Sequence, residues 1–204
     1  APFVDNFKIP FLTEYLGQRK SWLLITQILL IFSLILLGFS DPSESLILSA
    51  SFALLTAFFS ANQDIIIDAF RIEILDDELQ GAGAAATQFG YRVGGIIAGA
   101  GSLYLKSIFS WSQVFILVAI VILFLMILSI FVLKINSKLK QKNQSSLLAP
   151  FKEFISRNSI KNLTVILFFI FFFKFGDVVA GIMANPFYVK IGFSNIDFAN
   201  ASKI

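Results

Sequence analysis

Ionisable side chains interrupt an otherwise apolar segment that ends at Glu73. A helix turns about 100° per residue, so one arc extending ~16 Å along the axis carries Ser60, Asp64, Asp68 and Arg71. A charge in hydrocarbon costs about 2.5–3.5 kcal/mol, which indicates a water-filled path or a partner. Asp64 lies deepest and is the candidate for handling a proton or a charged substrate. Glu73 faces the opposite side and is expected to contact a lipid headgroup or a loop.

Asp68 and Arg71 could have a structural role instead of handling a proton or a substrate. They are three residues apart on one helix face, so they can form an interfacial salt bridge that only seats the helix. The structural and the functional interpretation both place these two side chains close together.

A second polar stripe follows on the next predicted helix and contains Gln88, Arg92, Gly95, Gly99 and Ser102. Arg92 lies near the middle of that span, too deep for its guanidinium to reach water easily. It therefore requires an anionic partner or ligand. Gly95 and Gly99 form a GxxxG pattern, which favours close packing of helices more often than it marks a binding site.

A third polar position interrupts a phenylalanine-rich run near the end of the chain. Lys174 and Asp177 are three residues apart and either pair with each other or line the same aqueous space. Gly181 and Asn185 continue the same general face. Pro186 marks the end of this helix or a kink in it.

Membrane-spanning helices are the elements that must position these residues. The chain has 204 residues, 57% of them apolar and 14% charged, whereas soluble domains are about 45–50% apolar and roughly 25% charged. A span needs roughly 20 mostly apolar residues. Five predicted spans cover residues 22–39, 46–70, 82–105, 114–133 and 163–187, and a sixth begins near Ala199.

Residue counts exclude several kinds of chemistry. The chain has no Cys and no His, so nearly every zinc site is excluded, and we expect neither a metal nor a cofactor. A net charge of +3 is too small to indicate nucleic-acid binding but suits loops that lie against anionic lipid headgroups.

The distribution of Lys and Arg predicts the orientation, because these residues accumulate in cytoplasmic loops. One side of the predicted bundle receives only Lys106 and Lys190. The other, predicted to be cytoplasmic, receives Lys8, Arg19, Lys20, Arg71, Lys134, Lys138, Lys140, Lys142, Lys152, Arg157 and Lys161.

Two of the predicted spans, residues 22–39 and 114–133, carry few polar side chains. We expect both to face lipid around most of their circumference and to have a structural role. The chain begins at Ala1 rather than at Met and stops inside a segment that looks like an unfinished span. We therefore expect it to be the middle piece of a longer polytopic protein.

Four strings resemble a known family: residues 60–73, 80–85, 90–94 and 174–177 closely resemble the AmpG-type muropeptide permeases of the major facilitator superfamily. The resemblance implies an all-α polytopic membrane protein, a bundle of twelve helices of which this chain supplies about helices 3 to 7. It also implies that helices 4 and 7 line the central cavity and that helices 3 and 6 are peripheral.

The same resemblance implies a division of the chain. Residues 1–135 would be the end of the N-terminal half, with the loop between helices 2 and 3 and helices 3–6. Residues 136–162 would be the cytoplasmic linker, and residues 163–204 helix 7 and the onset of helix 8. The superfamily pairs Asp with Arg in the loop between helices 2 and 3, whereas here Asp5 precedes Asn6, although the basic residues Arg19 and Lys20 are present.

The implied activity is proton-coupled import of N-acetylglucosaminyl-1,6-anhydro-N-acetylmuramic acid, with or without its stem peptide, across the bacterial inner membrane for peptidoglycan recycling. Its partners would be lipid, the muropeptide, protons and the remaining helices of the transporter. The predicted roles are substrate binding for Arg92, Lys174 and Gln88, proton coupling for Asp64 and Asp177, and a cytoplasmic gating ion pair for Asp68 and Arg71.

The sequence is also compatible with other functions. Related branches of the superfamily resemble acetyl-CoA carriers, so the same scaffold is compatible with a different cargo. A non-transporting fragment of a disrupted gene is also compatible with the sequence. An intramembrane enzyme is disfavoured, because no arrangement of nucleophile and base is present.

Overall fold

The computed structural model describes Phe7 and residues 9–132, 155–156, 160–194, 196–197 and 200. Most of the predicted linker 136–162 and the predicted sixth span near Ala199 lie outside the described residues. The helices are α1 (Leu12–Leu16), α2 (Gln18–Phe39), α3 (Leu46–Ile74), α4 (Gln80–Lys106), α5 (Trp111–Val132) and α6 (Ile160–Lys190), with a 3-10 turn at Asp77–Leu79. The described part of the chain contains no strand, as the all-α prediction requires.

Four of the described helices are long and apolar enough to cross a membrane. They are α2, α3, α5 and α6, the last two over Trp111–Phe131 and Lys161–Lys190. The remaining predicted span, residues 82–105, lies within α4, which is a long helix but is less apolar than the other four. This helix has 27 residues, a length of about 40 Å, but glycine, alanine and polar residues replace many of the large apolar side chains expected of a span.

The core forms around α2, which packs against both α3 and α5. Leu23 is buried against Ile66 of α3, with Trp22 and Ile67 packed beside them. The prediction that this helix faces lipid around most of its circumference is therefore wrong. α5 keeps most of its surface exposed, as predicted.

Buried hydroxyl groups on α2 explain how a polar face is enclosed. Ser21 donates a hydrogen bond to the carbonyl of Gly17 at 2.7 Å, and Ser33 donates to Leu30 at 2.9 Å. Between helices, the hydroxyl of Thr56 on α3 lies 3.1 Å from that of Ser33. These three hydroxyl groups are thus satisfied within the helix pair and need no contact with water.

The connection between α2 and α3 contains residues that end one helix and cap the next. α2 ends at Phe39, and the side chain of Ser45 accepts a hydrogen bond from the backbone N–H of Leu48 at the start of α3. Before it, the backbone and hydroxyl of Ser43 both donate to Asp41. These hydrogen bonds hold the pKa of Asp41 below its ordinary value.

Polar contacts join the helix ends that the charge distribution assigns to one side. Arg19 at the start of α2 forms an ion pair with Glu73 at the end of α3, with Nε 3.0 Å from Oε1. The adjacent Lys20 is buried, and its Nζ lies 3.4 Å from the carbonyl oxygen of Ile130 near the end of α5. Glu73, predicted to contact a headgroup or a loop, therefore contacts the first turn of a neighbouring helix.

Gly38 allows the C-terminal end of α2 to approach the N-terminal end of α5 closely. A Cβ at this position would lie 2.8 Å from Cβ of Phe115, an atom that cannot move without its backbone. We expect Gly38→Ala to destabilise the chain by about 1–3 kcal/mol because of overpacking, measured as a lower midpoint of thermal unfolding in detergent. Gly101→Ala is the matched control, since no atom lies within 4 Å of a Cβ there. Equal midpoints for the two variants would contradict this packing.

Candidate functional site

A cleft between α3 and α4 brings polar side chains of both helices together. Its volume is about 470 Å³, within the range of roughly 300–1,000 Å³ found for small-molecule sites. The α3 wall consists of Asp64, Ile67, Asp68 and Arg71, and the α4 wall of Ala84, Thr87, Gln88 and Tyr91.

The helical period builds the α3 wall, as predicted. Asp64 and Asp68 are one turn apart, and Arg71 follows three residues later, so the three side chains share one face. The helix continues beyond its last long apolar stretch to Ile74.

Contacts at the turn between the helices hold the α4 wall in place. The side-chain amide of Gln80 donates to the carbonyls of Ile72 and Leu75 at 3.1 and 2.8 Å, satisfying acceptors at the end of α3. A Cβ on Gly83 would collide with Cδ1 of Leu75 and lie 3.5 Å from Cγ and Cδ of Arg71. The absence of a side chain at Gly83 therefore lets α4 approach the stem of Arg71.

The charges in the cleft divide into a pair and a separate carboxylate. Nη2 of Arg71 lies 3.3 Å from Oδ1 of Asp68, with 21% and 56% of the two side chains exposed. Asp64, one turn deeper along α3, is exposed and has no ion-pair partner among the described residues. With Asp68 and Arg71 neutralising each other, the cleft has a net charge close to −1 when Asp64 is ionised.

Four of the predicted site residues line this cleft: Asp64, Asp68, Arg71 and Gln88. Arg92 is exposed on α4 one turn beyond Gln88 but does not line the cleft. Lys174 is exposed on α6 and lies outside it as well. Asp177 belongs to α6, but its side chain lies outside the described residues.

Gly95, the first glycine of the GxxxG pattern, is exposed, and no atom lies within 4 Å of a Cβ built on it. Gly99 is half-buried, and the neighbouring Ala100 is buried. Close packing at this motif stays a prediction.

Thr87 and Tyr91 are cleft residues that the sequence analysis missed. Tyr91 lies three residues after Gln88, a spacing that places both on one face of α4, and Thr87 lies one turn before Tyr91. The hydroxyl of Thr87 donates to the carbonyl of Gly83 at 2.9 Å. Its oxygen lone pairs remain able to accept from a ligand.

A second cavity of about 560 Å³ lies along α6 and has an apolar lining. Its walls are Thr164, Val165, Phe168, Phe169, Phe172 and Phe173. It contains no ionisable group, so the cleft between α3 and α4 is the better candidate for chemistry.

Comparison with known proteins decides the family. The profile of the Major Facilitator Superfamily matches residues 9–202. The chain belongs to this superfamily. The superfamily consists of multi-pass membrane transporters, and the apolar helices of this chain agree with that membership.

Individual relatives show which members of the superfamily the chain is similar to. An AmpG 4 protein of Rickettsia conorii, described as a putative transporter, is 36% identical over 100% of this chain and 50% of its own length. The anhydromuropeptide permease of Escherichia coli K12 is 32% identical over 95% of this chain and 39% of its own length. An uncharacterised protein of Haemophilus influenzae is 37% identical over 98% of this chain and 47% of its own length.

The chain thus spans between 39% and 50% of the length of these relatives. The resemblance to AmpG-type permeases extends over essentially the whole chain. No solved structure matches it.

Proposed function

We propose that the transporter containing this chain imports anhydromuropeptides through the bacterial inner membrane together with protons. The observation that carries the proposal is the cleft between α3 and α4, where a carboxylate without an ion-pair partner among the described residues lies beside an ion pair and uncharged polar groups. Similarity to the anhydromuropeptide permease of E. coli supports this choice of cargo.

Asp64 is the proposed proton-coupling residue. It is a carboxylate on a membrane-spanning helix, is exposed to the cleft, and can release or bind a proton without breaking the ion pair between Asp68 and Arg71. Asp177 is proposed as a second proton carrier.

Substrate contacts are proposed for three further residues. Gln88 supplies an amide donor and acceptor within the cleft. Arg92 and Lys174 supply positive charge for the lactyl or peptide carboxylates of the cargo. Because these two cations lie outside the cleft, their proposed role requires the α4 and α6 faces that carry them to border the same substrate path.

Opening of the cytoplasmic side is the proposed role of Asp68 and Arg71. Their 3.3 Å ion pair is on the side of the molecule that the charge distribution assigns to the cytoplasm. Separation of the pair would expose the cleft to that side.

Uptake by cells that lack their own permease tests the proposal. We expect the full-length parent of this chain to accumulate labelled anhydromuropeptide and a protonophore to abolish the accumulation. A parent detected in the membrane that gives no uptake would contradict the muropeptide assignment. Protonophore-insensitive uptake would instead contradict proton coupling alone.

A further inference from the structure

The two walls of the cleft differ in chemistry. The α3 wall carries the charges of Asp64, Asp68 and Arg71, whereas the α4 wall carries a hydroxyl, an amide and an aromatic ring but no charge. A ligand that fills the cleft therefore meets charged groups on one side and uncharged polar and aromatic groups on the other.

We propose that Thr87, Gln88 and Tyr91 form a sugar subsite in which a pyranose ring stacks on the side chain of Tyr91. This inference rests on the proposed function and assigns the disaccharide part of the cargo to the α4 wall. The charged part of the cargo then faces α3.

The state of Tyr91 supports a stacking role. The residue is 72% exposed, and no ring in the described part of the chain stacks on it. The face of an aromatic ring carries partial negative charge, whereas the C–H groups on one face of a pyranose carry partial positive charge. A large, exposed aromatic side chain in a polar cleft is therefore suited to a sugar face.

Gln88 and Thr87 supply hydrogen-bonding groups beside Tyr91 in the cleft. Gln88 offers both a donor and an acceptor to hydroxyl or acetamido groups. The proton of the Thr87 hydroxyl is engaged by the carbonyl of Gly83, which directs the oxygen of Thr87 to accept from a sugar hydroxyl. Together they supply directional contacts at the edge of a stacked ring.

Phe89 provides a matched control for Tyr91. It lies two residues away on α4, is 71% exposed and does not line the cleft. Replacement of either residue by alanine removes an exposed aromatic side chain from the same helix. The two variants differ in whether the ring faces the cleft.

The test measures uptake of labelled N-acetylglucosaminyl-anhydro-N-acetylmuramic acid, without peptide, by the full-length parent. We expect Tyr91→Ala to raise KM about tenfold, the effect of losing one aromatic contact, with little change in the maximal rate. Phe89→Ala should retain the KM of the parent, whereas Tyr91→Phe, which keeps the ring, should raise KM much less than Tyr91→Ala does. The amount of each variant in the membrane is measured by immunoblotting.

Each outcome has one meaning. An unchanged KM in Tyr91→Ala would overturn the subsite, and so would an equal rise in Tyr91→Ala and Phe89→Ala. Absence of disaccharide uptake by the unmodified parent would overturn the proposed function, which separates that failure from failure of the subsite.

Discussion

Replacement of Asp64 by asparagine is expected to abolish accumulation of the substrate while leaving exchange of substrate across the membrane intact. Asparagine keeps the size and polarity of the side chain but cannot carry a proton. One proton that falls through 100 mV of driving force supplies about 2.3 kcal/mol, which corresponds to roughly 50-fold accumulation. The Asp64→Asn transporter would lose this factor, so the inside-to-outside ratio would fall to about one.

The measurement compares net uptake with exchange in vesicles that contain the full-length parent. Asp76→Asn is the matched control, because Asp76 is an exposed carboxylate in the turn after α3 and does not line the cleft. It should accumulate substrate normally. Protonophore-sensitive accumulation by the Asp64→Asn variant would exclude Asp64 as the coupling residue.

Loss of Glu73 is expected to destabilise the contact between α2 and α3. Its carboxylate binds the guanidinium of Arg19 through Nε and Nη2, with the Arg19 side chain 15% exposed. The Glu73 side chain is 31% exposed, so water screens the pair in part, but its two hydrogen bonds make it stronger than a typical surface ion pair. Glu73→Ala should therefore cost about 1 kcal/mol and lower the unfolding midpoint by roughly 2–4 °C.

A charge exchange separates this ion pair from other effects of the mutation. The double variant Arg19→Glu with Glu73→Arg should recover part of the stability that each single variant loses, because the pair can form in reverse. Glu78→Ala, at an exposed carboxylate in the 3-10 turn Asp77–Leu79, should leave the midpoint unchanged. Strictly additive losses in the double variant would show that the two side chains do not interact.

The helical period explains why the charged residues of the α3 wall could be predicted together, whereas Gln88 alone was predicted on the α4 wall. Asp64, Asp68 and Arg71 share a face of a single helix, so their alignment follows from local spacing. The joining of this face to Gln88 and Tyr91 depends on how α4 docks. That docking depends on the space above Gly83, which a count of apolar residues does not reveal.

The role of α2 was predicted wrongly for a related reason. The helix has few polar residues among many apolar ones, so its sequence resembles that of a helix that faces lipid. The hydroxyls of Ser21 and Ser33 are nevertheless buried, and they donate to the backbone carbonyls of Gly17 and Leu30. Helices can therefore bury an apolar surface with sparse hydroxyl groups against each other as readily as against lipid. Sequence periodicity could not distinguish the two, because lipid and a neighbouring helix are both apolar.

The central place of α2 has a consequence for biosynthesis. Its partner α3 follows it directly, whereas α5 emerges from the ribosome only after α4, so a hairpin of α2 and α3 is available before the core can close. During that interval Lys20 lacks the carbonyl of Ile130, and the face of α2 that receives α5 remains open to lipid or to a chaperone. Slow translation after α3 would prolong this interval and give quality-control proteases more time to act.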